Sequence, residues 1–410
     1  MREIRPLATE EFPLFSQLSA NAYPAFNMFS PEAQERSLQR MRNAAQDPII
    51  QYYGVWDGAE LLGGMRFFDF TMQMLSAPLL VGGVGGVAVS LTRKKEKVAR
   101  DMILFFLRHY REKGAALTAL YPFRPDFYRR MGFGYGAQMN QYRLKPDSLP
   151  TGGSKRHITF LAETDVDALN DCYNRVMAKT HGMIAKHAYR LETTFGRPGV
   201  KIVGYKIDGR IHGYLVFTFE KKGTDTFLQN NLVVREFVYE NREVLAELLA
   251  FLRTQADQID RIEFNTQDDA FHFLLSGRLL PTVWHESNAQ GIGIMYRVID
   301  VAALFTQLAA HNFNGVSCRL KLTVADSFLP ENDGSTVIRF ENGRAHPQPD
   351  SAAFDVEISL DIADFSSLVM GTVNFKRLYT YSLAEISDEG FVNTINQLFA
   401  APKPICMTNF

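Results

Sequence analysis

The sequence predicts an α/β (α+β) protein built as three regions. Three observations carry this: a length beyond one core, a strand-strand-strand-helix-strand order that occurs twice, and a change to short alternating strands after about residue 296. At 410 residues and roughly 150 residues per domain, about three domains are expected. The boundaries read from the pattern are 1–148, 149–290 and 291–410.

In the first copy, 51–56 (QYYGVW) is strand-like, Asp57-Gly58 is a hairpin turn, and 60–70 is the partner strand. A glycine-laced apolar run at 81–89 follows, then an amphipathic helix over about 93–112. Ala99, Met102, Ile103, Phe106, Leu107 and Tyr110 share one face of that helix, and Gly114 can end it. A strand at 115–121 closes the copy.

The same order returns from residue 201. Asp208-Gly209 is the turn, strands fall at 211–219 and near 231–239, a helix at about 241–256 and a strand at 261–266. The matched spacing from each turn to its helix is that of a duplicated unit. The Pro/Gly/Ser-rich stretch 144–157 suits a linker. In the third region Asp300 can cap a helix beginning at Val301, and alternating strands follow at 317–326, 335–343 and 353–361.

Composition limits the function classes. Apolar residues make up 46% and charged residues 22%, which fits packed cores and excludes a disordered or coiled-coil chain. Lys+Arg 44 against Asp+Glu 45 gives a net charge of −1. No global field therefore draws the protein to nucleic acid or to an anionic membrane. The most apolar segment, Ala77 to Leu91, contains four glycines and is shorter than the roughly 20 residues of a membrane helix. The early acids of MREIRPLATEEF do not suit a secretory signal. Cys172, Cys318 and Cys406 are widely spaced and suit small buried hydrophobes in a reducing compartment. His181, His187 and His212 have no metal-ligand spacing, and His109 reads as a surface or interface residue. The expectation is a cytoplasmic protein with no metal, no nucleic-acid partner and no membrane partner.

Two clusters carry chemistry. In the first, an apolar strand containing Val87, Ala88 and Val89 runs through Lys94-Lys95-Glu96-Lys97-Val98-Ala99-Arg100 into the helix. Backbone amides, a helix N-terminus and cations there make an arrangement for holding a pyrophosphate. A lysine run at a helix start is otherwise a solvated face. In the second cluster, Tyr121 to Gly136 (YPFRPDFYRRMGFGYG), Tyr128 precedes three glycines whose backbone can approach a ligand closely. The alternative for Tyr128 and Phe133 is a place in the aromatic core.

These residues resemble the GNAT acetyltransferases, specifically the Eis-like (enhanced intracellular survival) branch. The resemblance implies tandem GNAT folds, the second degenerate, followed by a sterol-carrier-protein-like α+β domain. It implies acetyl-CoA as co-substrate. Val87, Ala88 and Val89 match the strand that pairs with the pantetheine arm, Lys95, Glu96, Lys97, Val98, Ala99 and Arg100 match the pyrophosphate loop, and Phe123 and Arg124 match a further coenzyme contact. Tyr128 matches the general acid, and the base would be the terminal carboxylate, here on Phe410. The acceptor would be a small-molecule or lysine amine, of aminoglycoside, polyamine or lysine type, and the chain would self-associate, with hexamers the family tendency.

The loop departs from the family pattern at Lys97, where a glycine is usual. A long side chain there either bends away and adds a cation or fills the phosphate position. A non-catalytic binding protein that has lost coenzyme A, and uses the third region for an apolar ligand or partner, is the alternative. The second copy is acidic where its helix begins (Glu240, Glu243), at the place a phosphate would take, which suits scaffold. In the third region Phe365, Leu368, Val369, Met370, Phe375, Leu378, Tyr379 and Tyr381 suit a core or a lipid tunnel, with core the preferred reading.

Overall fold

A computed structural model of the chain describes residues 2–26, 29–186, 194–221, 230–275 and 289–410. Residues Met1–Gly136, Ile294–Lys403 and Asn409–Phe410 form one compact unit, and Ala137–Gly293 with Pro404–Thr408 form another.

The first copy supplies β1 (Glu3–Pro6), α1 (Phe12–Ala22), α2 (Pro31–Ala44), β2 (Ile50–Asp57), β3 (Glu60–Met74) and β4 (Ala77–Val89). It continues with α3 (Val98–Glu112), β5 (Leu117–Leu120), α4 (Pro125–Arg129), β6 (Gly134–Tyr135) and β7 (Gln138–Leu144). The second supplies β8 (Ile158–Phe160), α5 (Val166–Met177), β9 (Val200–Ile207), β10 (Arg210–Lys221), β11 (Asn230–Tyr239), α6 (Arg242–Arg253), β12 (Ile259–Thr266), β13 (Ala289–Ile292) and β14 (Met295–Val298).

Among the described residues, one sheet runs β1-β2-β3-β4-β5-β14-β6 and the other β8-β9-β10-β11-β12-β7-β13. The two orders match position for position. In each, a parallel pair (β4 with β5, β11 with β12) is joined through a helix, as a strand-helix-strand crossover requires. The sixth position is exchanged: β7 follows the first copy in sequence but pairs with β12, and β14 follows the second but pairs with β5. The start of the stretch read as a linker is correspondingly part of a core, with Leu144, Pro146 and Leu149 buried.

α3 covers one face of the first sheet. Met102, Ile103, Phe106, Leu107 and Tyr110 are buried as the periodicity predicts, with Val98 rather than Ala99 completing the stripe. His109 is half-buried, not at the surface, against the rings of Tyr53, Phe67 and Phe105. The opposite face receives α1, through Phe12 and Phe15 against Tyr52.

The third region contains α7 (Val301–Gln307), β15 (Cys318–Ala325), β16 (Gly334–Glu341), β17 (Arg344–Gln348), β18 (Val356–Asp361), α8 (Ile362–Val369) and β19 (Ala384–Ile386), with sheet order β17-β16-β15-β18-β19. Asp300 caps α7 by accepting from the Ala303 amide at 2.9 Å. α8 is buried along its length against β6 and β14. There the Ser366 hydroxyl accepts from the Val298 amide (2.9 Å), and Arg129 pairs with Asp364 (2.6 Å). Phe365, Leu368, Val369, Met370, Phe375 and Leu378 are buried, whereas Tyr379 donates to Glu389 and Tyr381 is exposed. Cys172, Cys318 and Cys406 are buried free thiols, and burial pushes Cys172 up to about 12 and Cys318 up to about 11.

Candidate active site

The site begins with a defect in β4. Gly64 pairs with Ala88 but Arg66 pairs with Gly85, so β4 carries one residue more than β3 across this step. This is a β-bulge, and Gly86 takes a positive φ of 59° within it. Val87 falls outside the ladder with β3, and its carbonyl accepts the Tyr23 hydroxyl at 2.6 Å. On the other side, β5 pairs with β4 only from Val81 to Val84. Residues 85–89, including Val87, Ala88 and Val89, therefore run on without β5, which leaves an edge open to an extended ligand arm.

The chain then makes a 3₁₀ turn at Leu91–Arg93 and an exposed loop, so the helix starts at Val98, five residues later than the periodicity suggested. Lys97 is its N-cap, with φ +65° and ψ +8° and no side-chain cap. Lys95 is also left-handed, at φ +69°. This conformation explains why glycine suits position 97: the backbone requires a region that residues with a Cβ enter at a cost. The helix nevertheless begins uncapped, so the amides of Val98, Ala99 and Arg100 have no partner within the helix. Lys94, Lys95 and Lys97 are exposed and form no ion pair among the described residues. Glu96 is held by Arg2, which also reaches Asp101 at 3.0 Å, so its charge is largely compensated. Bare amides and unpaired cations fit a pyrophosphate, and the open β4 edge fits the arm that leads from it.

The second copy offers a contrast. Asn241 caps α6 with its own side chain, accepting from Val244, and Glu240 is engaged by Arg175 and His212. Its helix start is satisfied internally.

Tyr128 lies in α4 and is buried, with Phe123, Phe127 and Phe133 all set edge-on to its ring. Burial, and then the nearby Tyr23, hold its phenol well above the usual range. Phe123 and Arg124 are exposed beside it, with Arg124 paired to Asp126 at 2.6 Å. The glycines that follow do not await a ligand. A Cβ on Gly132 would overlap the Arg297 guanidinium, one on Gly134 the Ala363 carbonyl, and one on Gly136 the Ile294 carbonyl. The close approach predicted for this motif is made to the chain itself.

Phe410 lies on the α1 side of the sheet. Its ring meets Phe68 (5.4 Å), Phe70 (4.8 Å) and Tyr121 (5.3 Å) edge-on. A Cβ placed on Gly85 would stand 3.1 Å from its carbonyl carbon. The end of the chain thus meets β4 just before the bulge, where β5 has left.

Residues 3–136 and 182–297 match acetyltransferase (GNAT) domain families, and residues 301–407 match a sterol carrier protein domain. The chain belongs to the GNAT acetyltransferases. In organisation this GNAT protein is Eis-like: two acetyltransferase domains followed by a sterol-carrier region. Three solved structures share the fold. The GCN5-related N-acetyltransferase from Anabaena variabilis is 17% identical with a TM-score of 0.83, and 100% of each chain is covered. The one from Kribbella flavida is 17% identical at 0.79, covering 100% of this chain and 98% of the other. Eis1 from Mycobacterium abscessus is 18% identical at 0.77, with 100% of each covered. No curated protein matches the sequence.

In this GNAT protein, sequence reasoning missed Tyr23 and Arg66. Tyr23 follows α1 without a motif around it, and only the fold carries its hydroxyl to Val87. Arg66 is flanked in β3 by Gly64 and Met65 on one side and Phe67 and Phe68 on the other, and a cation among such neighbours was a usable signal. Among the described residues no group of three or more His, Cys, Asp or Glu side chains is placed to hold a metal, and no helix is long and apolar enough to cross a membrane. His187 lies outside the described residues.

Proposed function

We propose that the first copy is an acetyl-CoA-dependent N-acetyltransferase that acts directly on primary amines of the aminoglycoside, polyamine or lysine type. The observation that carries this reading is the place of Phe410, beside Gly85 where β4 leaves β5, on a sheet whose next helix starts uncapped. When bound, the coenzyme supplies an activated acetyl thioester.

The chain's own residues do the rest. The amides of Val98, Ala99 and Arg100, with Lys95 and Lys97, hold phosphate, and Val87, Ala88 and Val89 lie along the arm. Phe123 and Arg124 add an exposed contact. The Phe410 carboxylate attracts the acceptor ammonium and takes its proton, with the aromatic rings around it excluding water. Tyr128 keeps its proton at neutral pH, because burial disfavours the phenolate, and gives it from its Oη to the departing sulfur. A thiolate in the same desolvated place is a stronger base than in water, which narrows the mismatch between the two groups. The reading also carries a cytoplasmic setting and self-association, with a hexamer as the form that the resemblance implies.

Release of free thiol from acetyl-CoA, measured with a panel of amines, tests this. Turnover that falls in both Tyr128→Phe and a chain lacking Phe410 supports it. Thiol release unaffected by both changes contradicts the assigned roles, and no release with any amine supports a non-catalytic binding protein.

A further inference from the structure

Arg66 lies directly opposite Gly85 in the β3–β4 ladder, and directly opposed residues share a face of the sheet. The Cβ direction of Gly85 leads to the Phe410 carbonyl carbon at 3.1 Å and to the Phe68 ring at 3.4 Å. Phe68 and Phe70 follow Arg66 at steps of two along β3, so all three project to the side that receives Phe410. The guanidinium carbon stands 4.6 Å over the Phe68 ring.

Among the described residues no carboxylate pairs with this cation. Its Nε is buried without a hydrogen-bond partner, and the side chain forms no ion pair among the described residues. Five other arginines of the same unit, Arg5, Arg93, Arg111, Arg124 and Arg129, each meet a carboxylate within 3.1 Å, so that the partnerless nitrogens of Arg111 and Arg129 belong to guanidinium groups already paired. A buried guanidinium nitrogen with nothing to donate to calls for an acceptor from outside the chain. A planar fork of donors is matched best by a carboxylate.

We infer that Arg66 determines specificity by selecting acceptor amines that also carry a carboxylate. The inference rests on the acetyl-transfer reading of this face and narrows it. The Phe410 carboxylate draws the acceptor's ammonium, and Arg66, on the same face, draws its carboxylate. A cation and an anion side by side suit a zwitterion such as an amino acid, while a polyamine or aminoglycoside brings further positive charge toward Arg66.

The test uses matched amines that differ only in the carboxyl group: β-alanine and β-alaninamide, 4-aminobutyrate and 4-aminobutyramide, lysine and lysinamide. Binding to the full chain is measured by calorimetry, and acetylation in parallel. The carboxylate member of at least one pair binds about tenfold tighter or more, as a charge-assisted bidentate contact gives. Arg66→Gln collapses that ratio toward one, and Arg66→Lys keeps part of it. Equal affinity within every pair, or a ratio that survives in Arg66→Gln, overturns the inference; the wild-type pairs decide the matter even if a variant does not fold. Acetylation without discrimination refutes only the role of Arg66, and discrimination in binding without acetylation of any amine refutes only the transferase reading.

Discussion

Gly85 and Phe410 stand so close that a single methyl group on the glycine would lie 3.1 Å from the carbonyl carbon of the phenylalanine. The absence of a side chain in the middle of β4 is thereby tied to the place where the chain ends. Gly85→Val is predicted to displace Phe410 and lower kcat by about 10²-fold, the scale on which a misplacement of about 1 Å acts. The thermal midpoint should change far less than the rate, since the tail and not the sheet gives way. Parallel thiol-release and melting measurements check this.

Tyr128→Phe removes the proton donor and keeps the aromatic packing. The expected loss in kcat is about 10²-fold or more, with coenzyme affinity unchanged, and steady-state kinetics beside direct binding separate the two. Adding one residue after Phe410 should lower kcat similarly, because it moves the carboxylate while keeping the ring.

Lys97→Gly separates backbone strain from charge. Relief of the left-handed conformation at φ +65° should stabilise the protein by about 1 kcal/mol. Loss of the cation should weaken coenzyme binding and flatten its dependence on salt. Tighter coenzyme binding in this variant would mean that the lysine obstructs the phosphates.

Arg297 and Asp326 are fully buried and joined through both carboxylate oxygens, at 2.7 and 2.8 Å. Asp326→Ala strands the guanidinium and should cost about 3–5 kcal/mol, seen as a lower denaturation midpoint. Gly132→Ala should be damaging for a related reason, since its methyl group has no room beside the same guanidinium.

Burial, then the charge of Lys113, holds the His109 imidazole below its ordinary 6.5. Between that depressed value and 6.5 the unfolded chain binds a proton that the folded chain does not, so stability falls as pH drops through this window. His109→Phe should flatten the dependence in the window below 6.5. His311, also lowered by burial, leaves a residual slope. Denaturation midpoints across pH measure both.

The parts of the molecule that were legible in the sequence are those set by local rules. The α3 stripe follows from a 3.6-residue period, the Asp57-Gly58 and Asp208-Gly209 hairpins from turn chemistry, and the α7 cap from Asp300. The exchange of β7 and β14 was not legible, because pairing partners are chosen by the whole sheet and both strands read alike. The left-handed turn at Lys97 was hidden because the residue type argues against it. Arg66 was not singled out, because nothing local told which face of β3 receives residue 410. The glycines after Tyr128 were recognised as sites of close approach, and only the fold revealed that Arg297, Ala363 and Ile294 fill them.

Whether the first copy holds coenzyme A is decided by calorimetric titration of the coenzyme into the full chain. Binding at micromolar concentration to one site per chain is expected, weakened by salt and by removal of the Lys95 and Lys97 charges. No heat at millimolar coenzyme A would contradict it.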